Sequence, residues 1–438
     1  MHNDTIFALG SAPGRAGVAV IRISGPDADL ALGRLTRGKL PAPRLASVRH
    51  LYKDDAVIDQ ALVLRFIAPH SFTGENMVEL HTHGGQAVVQ ATLAALAALP
   101  GYRLAEAGEF SRRAFDHGKL DLTKAEAIAD LIDATTEAQR RQAIHQLDGS
   151  LSTLYHGWAD KLIKALAHLE AYLDFPDEPL PPELEAAHEA LIADLIQQID
   201  LHLQQGQRGQ RLRDGIRVAI IGAPNAGKSS LLNALTTRDS AIVSPIAGTT
   251  RDVIESAIDI GGYPVLLLDT AGLRTSDDPI EAEGIRRATI QAESADLLIL
   301  IYDVSRPFPA ELRPYLEASH LLLAANKVDL IEEVQLIDGL MPLPIIAKDG
   351  QIEPLLTALK DWLGHNYNVT EAPGLTRLRH QHHLQDALTH LKRSQQAPAL
   401  DLVAEDLRLA TRAIGHITGR VNVEDMLDII FRDFCIGK

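Results

Sequence analysis

Residues 216–221 (IRVAII) form a short apolar run rich in β-branched side chains. It leads at once into Gly222-Ala-Pro-Asn225-Ala226-Gly227-Lys228-Ser229, and then into Ser230-Leu-Leu-Asn-Ala-Leu, which has helical periodicity. This is the GxxxxGK[ST] pattern in the strand–loop–helix setting that it requires. The two glycines let the backbone wrap phosphates with its N–H groups pointing inward, and the helix N-terminus adds a favourable dipole. Lys228 is placed to reach the β- and γ-phosphates, and Ser229 to coordinate Mg²⁺. A plain glycine-rich turn accounts for neither the preceding strand nor the following helix. An α/β P-loop domain is expected around this segment.

Three more elements follow in the order a GTPase requires. Gly248-Thr249-Thr250-Arg251-Asp252 is expected in a loop, where Thr250 can close over the γ-phosphate and Mg²⁺. Val265–Leu268 reads as a buried strand ending in Asp269-Thr270-Ala271-Gly272; Asp269 suits the Mg²⁺ shell and the Gly272 backbone can sense the γ-phosphate. Leu321–Ala325 is a further strand, ending in Asn326-Lys327-Val328-Asp329. An aspartate at that place selects guanine, because its carboxylate accepts from the base N1–H and 2-amino group, which adenine does not offer. The last base-contacting element reads Ile346-Ala347-Lys348, with isoleucine where serine is usual. The Ala347 backbone can still contact the base O6, and GTP binding is expected to survive. A water-orienting glutamine often follows DxxG, whereas this chain has Leu273, so another group must position the attacking water. Glu281 is within reach if the loop after Gly272 folds over the nucleotide; on its own it reads more readily as one solvated carboxylate among Asp277, Asp278 and Glu283.

The chain has 438 residues, more than one hydrophobic core usually serves, so two or three domains are expected. A hydrophobic share of 46% against 23% charged excludes a largely disordered chain. One cysteine, Cys435, rules out an intrachain disulfide and fits a reducing compartment. No apolar run approaches the roughly 18 residues of a spanning helix, so a cytoplasmic protein without membrane contact is expected. The net charge of -16 argues against non-specific coating of nucleic acid, which runs on Lys and Arg displacing counterions. It leaves room for a local RNA site or an RNA-carrying partner. Charge divides as +1 over 1–118, -8 over 119–212, -10 over 213–374 and +1 over 375–438.

Those boundaries follow the pattern. Residues 1–118 mix short strands (Val18–Ile23, Ala61–Phe66, Met77–Leu80) with an Ala/Leu helix over Ala87–Leu99, an α+β domain. From Lys119 the chain turns helical, with Thr123-Lys-Ala-Glu126 as a capping-box signature. A helix covers Ser150–Leu173, a proline-rich break follows at Phe175–Pro182, another helix ends near Gln204, and Arg208–Asp214 reads as a linker. After the GTPase segment, 213–374, helices resume, so the GTPase domain is inserted in an all-α domain with halves at 119–212 and 375–438. His81 and His83 share a strand face but lack a third ligand of suitable spacing, and no metal is assigned there. His380-Gln-His-His383 begins a helix and reads as surface or packing.

The strings GAPNAGKSSLLNAL, AIVSPIAGTTRD, DTAGLR and IEAEGIRR resemble the translation-factor-related GTPases whose hydrolysis depends on K⁺. Five flanking stretches resemble the MnmE (TrmE) family of tRNA-modification GTPases: Asp4–Pro26, Phe72–Gly85, Gly108–Ala134, Ala404–Gly419 and the final Phe434-Cys435-Ile436-Gly437-Lys438. The resemblance spans essentially the whole chain and implies a multidomain fold with a Ras-like P-loop GTPase domain. It implies that Asn225 ligates K⁺ through its side chain, with backbone carbonyls around Ser244, Ile246 and Thr249 supplying the rest. It gives the water-orienting role to Glu281. Residues alone would make Asn225 a loop-stabilising side chain.

The family also implies that residues 1–118 bind a tetrahydrofolate derivative (5,10-methylene- or 5-formyl-) and form a homodimer. Positions matching its folate site are Arg22, Glu79 and Lys119, with Lys438 reaching in from the C-terminus. Arginine and lysine suit the glutamyl carboxylates, and a carboxylate suits the pterin N–H donors. Read alone, Arg22 and Glu79 are exposed charges on a sheet face. The family places Cys435 beside the pocket; a buried structural thiol and a chemically active one both remain open. The implied activity is wobble-uridine modification in tRNA, with an FAD-containing MnmG (GidA)-type partner and tetrahydrofolate as one-carbon donor. The added C5 group is aminomethyl or carboxymethylaminomethyl. Two rivals are a ribosome-assembly GTPase acting as an RNA-binding switch, and a GTP-binding scaffold that has lost hydrolysis.

Overall fold

The computed structural model describes residues 4–174, 182–238, 255–268, 294–368, 374–421, 430–431, 434 and 437. It divides into two compact units, Met1–Ala129 with Ile414–Lys438, and Asp130–Ala413.

The first unit holds β1 (Thr5–Leu9), β2 (Ala16–Ser24), α1 (Ala28–Thr36), β3 (Ser47–Lys53), β4 (Ala56–Phe66) and β5 (Met77–Gly84). It continues with α2 (Gln86–Ala97), β6 (Tyr102–Leu104), α3 (Glu109–Asp116) and the first turns of α4 (Leu122–Asp133). The strands form one sheet in the order β3-β4-β5-β2-β1-β6, in which only β1 and β6 run parallel. One face carries Ile21, Ile23, Leu51, Ala61, Val63, Val78 and Leu80, buried against Ala28, Leu32 and Leu35 of α1 and Leu96 of α2. Strand alternation then forces Arg22 and Glu79, paired directly across β2 and β5, onto the opposite face.

The other end of this unit is held by charge. Arg113 of α3 is fully buried, and its guanidinium reaches Asp4, Glu75 and Glu109 at 2.8, 3.2 and 3.0 Å. Three carboxylates around one guanidinium compensate its desolvation and fix the chain start, the 71–76 turn and α3 together. Strand β5 runs through Gly84, and Gly85 caps α2, so His81 and His83 stand on a strand that feeds a helix without an intervening loop. His81 Nε2 lies 3.3 Å from Glu79 Oε2, and His83 Nδ1 lies 2.7 Å from Asp59 Oδ1.

Two helix expectations are corrected. Helix α4 is capped by Asp121, whose Oδ1 accepts from the Lys124 N–H at 2.9 Å and the Thr123 hydroxyl at 2.7 Å. The aspartate two residues upstream therefore takes the role expected of Thr123. A reciprocal capping box occurs instead at Thr136–Gln139, opening α5 (Glu137–Leu147).

Next come α6 (Ser150–Asp174) and α7 (Pro182–Asp214), and α7 runs through the segment that reads as a linker. Gly206 and Gly209 argue against helix by propensity, yet the helix needs them. A Cβ on Gly209 would sit 2.2 Å from the Leu375 carbonyl oxygen, and one on Gly206 would sit 2.3 Å from Leu375 Cδ1. Tertiary contact with the returning chain overrides intrinsic preference.

The GTPase sheet contains β7 (Ile216–Ile221), β8 (Glu255–Ile260), β9 (Tyr263–Leu268), β10 (Leu297–Asp303), β11 (Leu321–Asn326) and β12 (Leu343–Ile345). Between them lie α8 (Lys228–Arg238) and, after β12, α9 (Glu353–Tyr367). Strand order is β12-β11-β10-β7-β9-β8, parallel except for β8. Alternate residues of β10 fill both faces, with Leu297, Ile299 and Ile301 in one core and Leu298, Leu300 and Tyr302 in the other. Such two-sided burial explains why these strands read as unbroken apolar runs. The helical part of this unit closes with α10 (Leu378–Ser394) and, through Ala413, the larger part of α11 (Leu400–Thr418). Among the described residues no helix is long and apolar enough to cross a membrane.

Candidate functional site

Strand β7 lies between β9 and β10, so the chain leaves its C-terminal end where the sheet's strand order turns back. Loops at such a point open into a crevice, and the P-loop stands there. Asn225 adopts φ 62° and Gly227 φ 105°, turning the loop before α8 starts at Lys228. A Cβ on Gly227 would fall 2.1 Å from Asn326 Nδ2, so only glycine fits beneath that side chain. Lys228 Nζ donates to the carbonyls of Gly222 and Ala223 at 2.6 and 3.0 Å, bracing the loop it serves. Burial pushes the Lys228 ammonium below the ordinary lysine range. Facing a polyphosphate, it is a desolvated cation with strong attraction for anionic oxygen. Ser229 and Ser230 follow in the first turn of α8, next to the loop amides.

The base end is organised around Asn326. Its Nδ2 donates to the Ala226 carbonyl at 2.7 Å, and its Oδ1 accepts from the Ala347 N–H at 2.9 Å. One buried carboxamide thereby ties the P-loop, the end of β11 and the 347–349 turn into a single wall. Ala347 has its N–H on Asn326 even with Ile346 in the usual serine position. Asp329 projects from the 328–330 turn and is exposed, ready to meet donors on a base edge, and Lys348 is exposed on the neighbouring turn. Lys327 sits between them with φ 67° and its ammonium 2.5 Å from Asp303 Oδ2, a residue the motifs do not flag. The signal for Asp303 is its place as the first charge after an apolar strand, directly across from Asn326 in the register.

Ser229 at the helix start suits Mg²⁺, a hard cation that takes oxygen ligands. Asn225 stands at the loop rim in a left-handed conformation and is exposed, which suits a carboxamide ligand for K⁺. Ser244, Ile246, Thr249, Thr250, Asp269, Thr270, Ala271, Gly272 and Glu281 lie outside the described residues. Among the described residues no cluster of three or more His, Cys, Asp and Glu side chains is arranged to hold a metal.

In the first unit, Arg22 Nε donates to Glu79 Oε1 at 3.1 Å and Arg22 Nη1 donates to the Gly437 carbonyl at 3.3 Å. The C-terminal tail is thus brought to the sheet face that holds the expected folate residues. Lys119 follows α3, with its Cγ 3.5 Å from the position a Cβ on Gly74 would take. Cys435 and Lys438, on either side of Gly437 in the sequence, lie outside the described residues.

A sheet in this order, parallel but for its edge strand β8, a P-loop after β7 and an Asn-Lys-x-Asp turn after β11 define a P-loop GTPase. Sequence comparison narrows the class. Residues 5–119 match the model described as "GTP-binding protein TrmE N-terminus" and residues 122–435 the one described as "MnmE helical domain". The tRNA modification GTPase MnmE of Rhodospirillum rubrum is 51% identical, with 100% of each chain covered. The mitochondrial 5-taurinomethyluridine-[tRNA] synthase subunit GTPB3 of Danio rerio is 46% identical over 100% of this chain and 93% of its own. Among solved structures, the G domain of the T. maritima FeoB iron transporter aligns over 34% of this chain and 98% of that one, at 27% identity and a TM-score of 0.25. A score that low adds nothing to the topology. The chain belongs to the MnmE family, and it is a GTP hydrolase that takes part in tRNA modification.

Proposed function

We propose that this chain is a K⁺-dependent GTPase that, with an FAD-containing MnmG (GidA)-type partner, modifies C5 of the tRNA wobble uridine. A tetrahydrofolate derivative supplies the one-carbon unit, and the product carries an aminomethyl or carboxymethylaminomethyl group. The observation that supports this reading is a second polar cluster on the chain, in addition to the nucleotide cradle. The cradle is formed by Lys228, Asn326 and Asp329; in the cluster, Arg22 pairs with Glu79 and donates to the Gly437 carbonyl. A nucleotide site alone would serve a simple switch. The zebrafish relative's name, with its C5 taurinomethyl product, follows the same pattern of a methylene joined to an amine.

Each residue then has a task. Lys228 and the loop amides hold the β- and γ-phosphates, and Thr250 closes over them. Ser229 and Thr250 would hold Mg²⁺, and Asn225 with the carbonyls around Ser244, Ile246 and Thr249 would hold K⁺; the two ions would supply positive charge where negative charge develops. Glu281 orients the attacking water. Asp269, with Thr270 and Ala271 beside it, belongs to the Mg²⁺ shell, the Gly272 backbone registers the γ-phosphate, and Asp329 reads guanine. In the folate site, Glu79 takes pterin N–H donors with Arg22 paired beside it, and Lys119 and Lys438 take the glutamyl carboxylates; Cys435 is assigned to the same pocket by the family resemblance. Residues 1–118 form the homodimer, in the cytoplasm, and the GTPase domain, 213–374, is inserted between helical segments 119–212 and 375–438.

Steady-state turnover of the purified chain in KCl against NaCl tests the GTPase half. Stimulation by K⁺ of about tenfold or more is expected, since placing charge on a phosphoryl-transfer transition state has effects of that order or larger. Equal turnover in the two salts contradicts it. Glu281→Ala is expected to abolish turnover while sparing GTP affinity; persistent turnover removes Glu281 from the role of water-orienting residue.

A further inference from the structure

We propose that Asp303 is a positioning residue for guanine recognition, fixing Lys327 so that its alkyl stem forms one wall of the base pocket. The inference rests on reading Asn326–Asp329 as the guanine site.

Asp303 is the last residue of β10 and lies directly across from Asn326 at the end of β11. Its side chain is only 10% exposed and uses both oxygens. Oδ1 accepts from the Ser305 N–H at 3.0 Å and the Ser305 hydroxyl at 2.6 Å, and Oδ2 accepts from Lys327 Nζ at 2.5 Å. The Val304 N–H also donates to the Asn326 carbonyl at 3.1 Å, so the two strand ends stay in register beyond the sheet. Burial alone would raise the Asp303 carboxyl; the hydrogen bonds from Lys327 and Ser305 outweigh it and hold it below the usual carboxylate range. The carboxylate is therefore ionised whenever the protein is folded near neutral pH.

Lys327 needs such a partner. Its backbone is in the left-handed region, at φ 67°, which turns the side chain out of strand direction. A free lysine carries up to about 2 kcal/mol of rotamer entropy, and ordering it only when the ligand arrives would weaken binding. With its ammonium fixed on Asp303, the four-carbon stem is already laid between the strand ends when a base enters. The pair also cancels a carboxylate that would otherwise repel a nucleotide.

Binding of mant-GDP and mant-GTP to the full chain tests this. Asp303→Asn keeps an oxygen for the Ser305 turn and removes only the charge. Its dissociation constants for both nucleotides are expected to rise alike, about tenfold, the scale of one charged hydrogen bond. Lys327→Gln cuts the pair from the other side without touching the Ser305 turn, and is expected to show a similar loss. The double variant is expected to bind no worse than Lys327→Gln alone, because both changes break one interaction. Additive losses, or a loss confined to mant-GTP, overturn the proposal. If Lys327→Gln itself leaves both affinities unchanged, it is the reading of this turn as the base site that fails.

Discussion

Gly227 and His202 show how single positions set what the chain tolerates. At Gly227 a methyl group would press into Asn326 Nδ2, the atom that ties the P-loop to the base wall. Gly227→Ala is expected to cost about 3 kcal/mol of nucleotide binding, roughly a hundredfold in dissociation constant, read by fluorescent nucleotide titration. His202 lies in α7 against Tyr155 and Trp158 of α6, and its Nε2 meets the Tyr155 hydroxyl at 3.1 Å. Burial, reinforced by His380, pulls its pKa from 6.5 to about 4. The unfolded chain therefore binds the extra proton first. Stability from this group is complete above pH 6.5 and is lost as pH falls towards 4, by up to about 3 kcal/mol. Urea midpoints of the wild type should fall across that window, and those of His202→Phe should fall less. A wild-type midpoint that is flat between these pH values contradicts the assignment.

At the scale of elements, the P-loop strand, the Asn-Lys-x-Asp turn and the α6 span were legible because each couples a motif or a long periodicity to its own local geometry. What escaped depended on distant partners. Helix α7 continues past Gln204 because Leu375, far along the chain, packs where Gly206 and Gly209 leave room. Asp121 rather than Thr123 caps α4, since both are good caps and the one that starts the helix is settled by packing. Asp303 was missed because a strand-terminal aspartate has no motif of its own, only its place as the first charge after an apolar run. The α7 case is testable. Gly209→Ala gains about 1 kcal/mol in helix propensity, yet its methyl group would meet the Leu375 carbonyl. Net destabilisation of about 2 kcal/mol is expected, seen as a calorimetric midpoint several degrees lower. A raised midpoint would show that propensity governs this segment.

At the scale of the molecule, the end of the helix that leads into β7 and the chain that returns after α9 share one anchor. Asp130 Oδ1 accepts from Arg213 Nε at 2.8 Å and from Arg377 Nη2 at 2.6 Å. Gln139 Nε2 reaches the Arg213 carbonyl at 2.9 Å, and Gln142 Nε2 the Gly209 carbonyl at 3.0 Å. Asp130→Ala is expected to cost about 2 kcal/mol and to quicken proteolysis near Arg213 and Arg377, since two arginines lose their common acceptor. Unchanged cleavage there would mean that the anchor carries little. The net charge of -16 falls on the GTPase and first helical segments, which fits a protein that meets tRNA through a partner. Nucleoside mass spectrometry of tRNA from cells lacking this chain tests the central claim most directly. Loss of the C5-substituted wobble uridine is predicted, restored by the wild-type chain and not by Lys228→Ala; an unchanged nucleoside profile would contradict the account.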